Sequence, residues 1–468
     1  MRNCDHKPQN PEVGTLLVQV HPDAAAVDIH DGSHFVAVPP SRDKDGQNVR
    51  EFSSFTADLR RIVAWLRECG VKEVALEATG VYWIPLYELL DAEGFEVRLF
   101  DPRQARNMPG RKTDAGDARW FQELHSYGLL NAAFRPADQV CVLRSYVRQR
   151  GMLISSAAEH AQHMQKALQQ MNLKLTRVVS DILGVTGMRI IRAVIAGERD
   201  PERLAQLRDE RCHHSRAEIA LALEGNYRPE HVFALRQAVE LYDFYQVKLR
   251  ECDQQVQAFL KTFENQSGGE VMPPRAGNKR PQGNSPQFDL RAQLYLMTGV
   301  DLTSIDGIDA LTALKVLSET GIDMSRFLTE KAFCSWLSLC PGSHKSGGKS
   351  YSGRVRPSKN KAATALRVAA QTLTNSKSAL GAFLRRMKQR LGPAAGITAA
   401  AHKLARIIYA MLKRKIRTYQ DLGADYYEAK YKSRVIKNLK KRAEALGLTL
   451  VPLPAPEPAT TVPCAAGI

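Results

Sequence analysis

Residues 24–38 read Ala24-Ala25-Ala26-Val27-Asp28-Ile29-His30-Asp31-Gly32-Ser33-His34-Phe35-Val36-Ala37-Val38. Two apolar stretches, Val27 to Ile29 and Phe35 to Val38, flank Asp31-Gly32-Ser33, a turn signal that joins paired strands. Working outward, Leu59, Ile62, Val63 and Leu66 recur at helical spacing within Phe55 to Cys69. Val74 to Leu76 reads as a short buried strand, Tyr82 to Ala92 as a helix, Phe95 to Phe100 as a strand and Asp114 to Tyr127 as a helix. Strands mixed with helices in this order predict an α/β layer fold with a central sheet over residues 16–131.

The rest of the chain changes character. Val140 to Asn172 and residues 229–264 predict two long helices, the second with Leu235, Val239, Leu241, Tyr245 and Leu249 as stripe members. Such helices pair within a chain or between chains, so 132–264 is expected to be a helical connector and oligomerisation region. Residues 265–287, rich in Gly, Pro and charge, read as a linker. A mostly α-helical domain is expected over 288–449, and residues 1–15 and 450–468 read as loose tails. Glycine turns at Gly184 to Gly187 and Ile305 to Thr312 fit either a phosphate-contacting helix-hairpin-helix or an ordinary helix connection.

The net charge of +17 is unevenly placed. Residues 341–450 hold 25 Lys and Arg against Asp421, Asp425, Glu428 and Glu444, a net of +21, which leaves −4 for the remainder. So one-sided a block is the footprint of a nucleic-acid partner. No apolar run is long enough to span a membrane, and Met1 to Pro8 lacks the apolar core of a signal peptide. The eight cysteines form no Cys-x-x-Cys pair, and Cys212-His213-His214 has no second half. Reduced thiols, no zinc site and a cytoplasmic location are expected.

Four acids carry the chemistry. Asp28 follows an apolar run, Glu77 ends Val74-Ala75-Leu76, and Asp114 and Asp117 stand three apart in Lys112-Thr113-Asp114-Ala115-Gly116-Asp117-Ala118. On a helix the last two share one face. Carboxylates gathered in this way repel unless cations neutralise them, and Mg²⁺ accepts hard oxygen ligands while keeping positions for phosphate. The same acids also suit turns and helix caps. A second chemical segment, Pro341 to Lys361, combines glycines, hydroxyls and the cations Lys345, Lys349, Arg354, Arg356, Lys359 and Lys361. It suits a loop that approaches a phosphate backbone. Composition does not choose a nucleophile among Ser343, Ser346, Ser350 and Ser352.

Together these features resemble the transposases of the IS110 family of insertion sequences. Ala26-Val27-Asp28-Ile29, Leu76-Glu77-Ala78-Thr79-Gly80-Val81-Tyr82 and Arg111 to Ala118 are similar to the family's three acid motifs, in order. Leu339-Cys340-Pro341 through Lys345-Ser346-Gly347 is similar to its serine motif, and Ala401-His402-Lys403-Leu404-Ala405-Arg406 continues the likeness. The turn Ile305-Asp306-Gly307-Ile308 departs from the family's Pro-Gly-Ile-Gly, with Asp306 for the proline and Asp309 for the second glycine. The resemblance implies a RuvC-like (RNase H type) domain holding Mg²⁺, two ions per site, on Asp28, Glu77, Asp114 and Asp117. It implies Ser346 as the nucleophile of a recombinase, forming a phosphoseryl-DNA link in a composite site of a dimer or tetramer. It also implies donor and target DNA chosen by pairing with a structured guide RNA, at the nucleoid. Two other functions fit the residues: a metal-dependent nuclease hydrolysing branched DNA, and a nonenzymatic nucleic-acid-binding protein.

Overall fold

The structure, a computed structural model, describes residues 18–104, 113–274, 284–342, 344–347 and 349–451. Most of both tails, the middle of the linker, Arg111-Lys112 and Ser343 lie outside the described residues. The chain divides into two units, residues 1–135 and 136–468.

The first unit is built on a mixed five-stranded sheet in the order β3-β2-β1-β4-β5. Its strands are β1 (Ala24–Ile29), β2 (Ser33–Ala37), β3 (Val49–Ser53), β4 (Glu73–Glu77) and β5 (Glu96–Phe100). β1 pairs antiparallel with β2 through the expected turn and parallel with β4, which pairs parallel with β5. The helices are α1 (Thr56–Glu68), α2 (Trp83–Ala92) and α3 (Asp114–Ser126). Strand alternation divides the core in two. Ala25, Val27, Ile29, Val74 and Leu76 pack with Ile62 and Leu66 of α1 and Leu86 and Leu90 of α2. Ala26, Ala75 and Phe100 pack with Phe121 and Leu124 of α3. Alanines on the second face leave room for that helix. Phe121 meets Phe100 edge-on at 4.9 Å between centroids, and burial of one such ring stabilises by about 2–3 kcal/mol. A third strand, β3, was not expected.

The second unit is mostly helical. α4 (Asp138–Gln170) and α9 (Pro229–Leu260) lie against each other, and between them the chain forms α5 (Leu175–Val178), α6 (Val185–Ala196), α7 (Pro201–Gln206) and α8 (Arg216–Ala222). These short helices close a core of their own around Met164, Leu173, Ile190, Leu204, Ile219 and Leu235. Beyond it follow α10 (Leu290–Thr298), α11 (Ala310–Thr320), α12 (Glu330–Trp336), a hairpin of β6 (His344–Ser346) and β7 (Lys349–Ser352), α13 (Lys361–Thr372), α14 (Ala379–Leu391), α15 (Pro393–Arg414) and α16 (Gly423–Ala445). α11, α13 and α15 supply a buried layer of Val316, Leu317, Leu366, Leu404 and Ile408. Arg148 of α4 forms a two-pronged ion pair with Glu319 of α11, both contacts at 2.9 Å. No helix among the described residues is long and apolar enough to cross a membrane.

Candidate metal centre and cationic hairpin

Asp28 is the fifth residue of β1 and is 4% exposed. Its parity matches Ala26, so its side chain faces α3, not the α1–α2 core. Glu77 ends β4 two residues after Ala75 and faces the same way. Thr79 Oγ1 donates to Glu77 Oε1 at 2.6 Å, and Gly80, at φ +57°, turns the chain toward α2. On the opposite side, Thr113 caps α3 by accepting from the Gly116 amide at 3.2 Å. Such a cap contributes about 1 kcal/mol. Asp114 and Asp117 fall in the first turn of α3; Phe121, about one turn beyond Asp117 and two beyond Asp114, and Leu124, one turn further, fasten the same face to the sheet.

Electrostatics shows that the four acids meet. The Asp28 carboxyl is pushed up to about 8, first by burial, then by a hydrogen bond with Glu77 and by the charges of Glu77, Asp117 and Asp114. Without a cation, Asp28 therefore keeps a proton near neutral pH. Three motifs distant in sequence thus converge on one buried carboxylate. That donor set fits a divalent cation, which would neutralise the repulsion and take carboxylate oxygens as ligands.

One contributor escaped the sequence reading. His30, just beyond β1, places Nε2 3.3 Å from Asp28 Oδ2 and 3.9 Å from Asp114 Oδ1. The only signal for it was its spacing of two from Asp28, which puts both side chains on one face of an extended chain.

The serine segment lies in the second unit. It forms a hairpin, not the loop that its composition suggested: Ser346 pairs with Lys349, and Gly347 turns the chain at φ +55°. Pro341 bridges to Val355, and the Gly342 amide donates to Arg354 O at 3.0 Å, closing the base. Lys349, Arg354, Arg356, Lys359 and Lys361 are exposed. Further cations line α16, none of whose residues is buried. There Arg386 of α14 stacks over the Tyr431 ring at 3.4 Å and pairs with Glu428.

An α/β unit with acids gathered where β1, β4 and α3 meet, followed by a helical unit with a cationic hairpin, fits a DEDD-type metal-dependent domain joined to a second, basic one. Comparison with known proteins agrees. A family model for the DEDD transposase of IS110 matches residues 25–173, and one described as transposase of the IS116/IS110/IS902 family matches residues 301–385, together half of the chain. The first span contains all four acids and the second contains Ser346. A probable family 20 transposase of Pseudomonas aeruginosa is 29% identical over 119 residues, which are 24% of this chain and 35% of that relative. The chain thus matches about a third of the length of that curated relative. The chain belongs to the IS110 family of transposases.

Proposed function

We propose that the protein is a DNA recombinase that cuts and rejoins strands by transesterification. The observation that carries this reading is the convergence of Glu77, Asp114 and Asp117 on Asp28 within the span matched to the family. Asp28, Glu77, Asp114 and Asp117 hold Mg²⁺. Bound there, Mg²⁺ would withdraw charge from a scissile phosphate and from the oxygens that attack and leave it. The Ser346 hydroxyl oxygen bonds to phosphorus, one deoxyribose oxygen departs and gains the proton, and the strand is left as a phosphoseryl ester. A free deoxyribose hydroxyl from a partner strand then attacks that ester, and Ser346 recovers its proton. The number of phosphoester bonds never changes, so no water and no nucleotide cofactor enter the balance.

Around this chemistry, Lys345, Lys349, Arg354, Arg356, Lys359 and Lys361 hold the phosphate backbone. The N-terminal unit is a RuvC-like domain, and the protein acts as a homo-oligomer on donor and target DNA at the nucleoid. A structured RNA from the same element selects sequence by base pairing, which suits a cationic surface with no need to read bases itself. The test uses the full chain with its flanking RNA, labelled donor and target DNA, and Mg²⁺. Wild type should give a covalent protein–DNA adduct on a denaturing gel, lost in Ser346→Ala and in EDTA. Cleavage without an adduct, unchanged in Ser346→Ala, would instead mark a metal-dependent nuclease. Binding without cleavage in wild type would mark a nonenzymatic nucleic-acid-binding protein.

A further inference from the structure

The acids are not the whole of the cluster. One donor atom from each of Asp28, His30 and Asp114 lies within 4.8 Å of the others. Donors that share a cation at about 2.1 Å stand no more than about 4.2 Å apart. The His30 Nε2 separations of 3.3 Å from Asp28 and 3.9 Å from Asp114 both satisfy that bound. The ring is packed on one side and the turn beneath it is pinned. Phe35, directly across from Asp28 on β2, meets it edge-on at 6.2 Å between centroids. The His30 amide donates to Ser33 O at 3.1 Å, which fixes the turn that carries the ring. An imidazole that only steadied Asp28 would need that one oxygen. Here a second carboxylate, delivered by a different element, completes a three-donor set, and the His30 side chain remains 45% exposed and open to an arriving ion.

We propose that His30 Nε2 is a ligand of the cation held by Asp28 and Asp114, so that this position binds a transition-type divalent ion, Mn²⁺, more tightly than Mg²⁺. The inference rests on the acid-site reading above and adds a nitrogen donor to it. Mg²⁺ favours hard oxygen ligands and gains little from imidazole, whereas Mn²⁺ accepts both kinds of donor.

Pulsed EPR of Mn²⁺ added to the metal-free full-length protein reads the ligand directly, because coordinated imidazole imposes a ¹⁴N modulation that carboxylate and water do not. The expected result is ¹⁴N coupling in wild type that is absent from His30→Ala. That variant should bind Mn²⁺ about tenfold more weakly or worse, while Mg²⁺ affinity changes less than about threefold. Mn²⁺ held without ¹⁴N coupling in wild type, or coupling retained in His30→Ala, would overturn the assignment and leave the acids as the site. Asp28→Asn and Asp114→Asn proteins that bind Mn²⁺ as tightly as wild type would overturn the acid site and this proposal together, as would a wild type that binds no Mn²⁺. The wild-type spectrum needs no variant, so a misfolded His30→Ala cannot shield the idea.

Discussion

A carboxylate on a central strand, crowded by three others, opposes the fold that holds it. Asp28 titrates near 8 in the folded chain against an ordinary 3.8, so the folded state binds this proton more tightly than the unfolded state. The stability linked to it is fully present below about pH 4 and is lost as the pH rises through about 8. Asp28→Asn removes that titration. In EDTA, urea unfolding should show wild type weakening between pH 5 and 8 relative to the variant, by about 1–3 kcal/mol at the upper end. A divalent cation should restore wild type and leave Asp28→Asn unmoved. Parallel curves would mean that the acids do not feel one another. His34 has the opposite sign: burial holds its pKa below 6.5, so its contribution is present above that value and fades as the pH falls below it. His34→Leu should therefore flatten the acid limb as the pH falls below about 6.5, without touching the alkaline one. At this scale the four acids were legible because each sits beside a strand or helix signal, Val74 to Leu76 before Glu77 being the clearest. His30 was not, because a histidine before Asp31-Gly32 also reads as an ordinary turn residue.

Elements were legible in proportion to their apolar pattern. β1, β2, β4 and β5, with α1 to α3, follow the runs and stripes of the first unit closely. β3 reads Val49-Arg50-Glu51-Phe52-Ser53, an edge strand with three polar residues, and offers no run to find. β6 and β7 are polar and glycine-flanked, so backbone pairing alone defines them. α5 to α8 are four to twelve residues long, too short for periodicity to outvote the charges among them. The long helices were plain, but what locks them was not. Arg150 of α4, 3% exposed, pairs with Asp253 of α9 through Nε at 2.5 Å and donates to Asn284 O at 2.6 Å. Arg150→Ala leaves a buried carboxylate without its partner and should cost about 3–5 kcal/mol. Adding Asp253→Leu to Arg150→Met should return the protein to within about 2 kcal/mol of wild type, since an apolar pair needs no countercharge. Chemical unfolding of the three proteins measures both. A double variant as weak as the single one would show that Asn284, not Asp253, is what Arg150 serves.

Across the whole molecule, charge and packing are sorted by segment. The excess of +21 over residues 341–450 is carried in part by α16, with seven Lys and Arg against Asp425, Glu428 and Glu444. That helix buries none of its residues and leans on α14 through Arg386, Tyr427 and Tyr431. A helix that contributes so little to a core yet carries so much charge suits the polyanion of the proposed function, and on that reading stability and binding should separate when it is removed. A chain ending at Leu422 should melt within about 3 °C of the full chain, because little apolar surface is uncovered. Its affinity for DNA and RNA should fall, and the slope of log K against log salt should shrink by about three to six, since each phosphate released from a cation removes about 0.9. The loss should be similar for every probe sequence, because phosphate contacts carry no sequence information. Calorimetry with fluorescence titrations across a salt series reads all three quantities. An unchanged slope would leave α16 as a solvated surface and would assign the polyanion contact to the hairpin cations Lys349, Arg354 and Arg356.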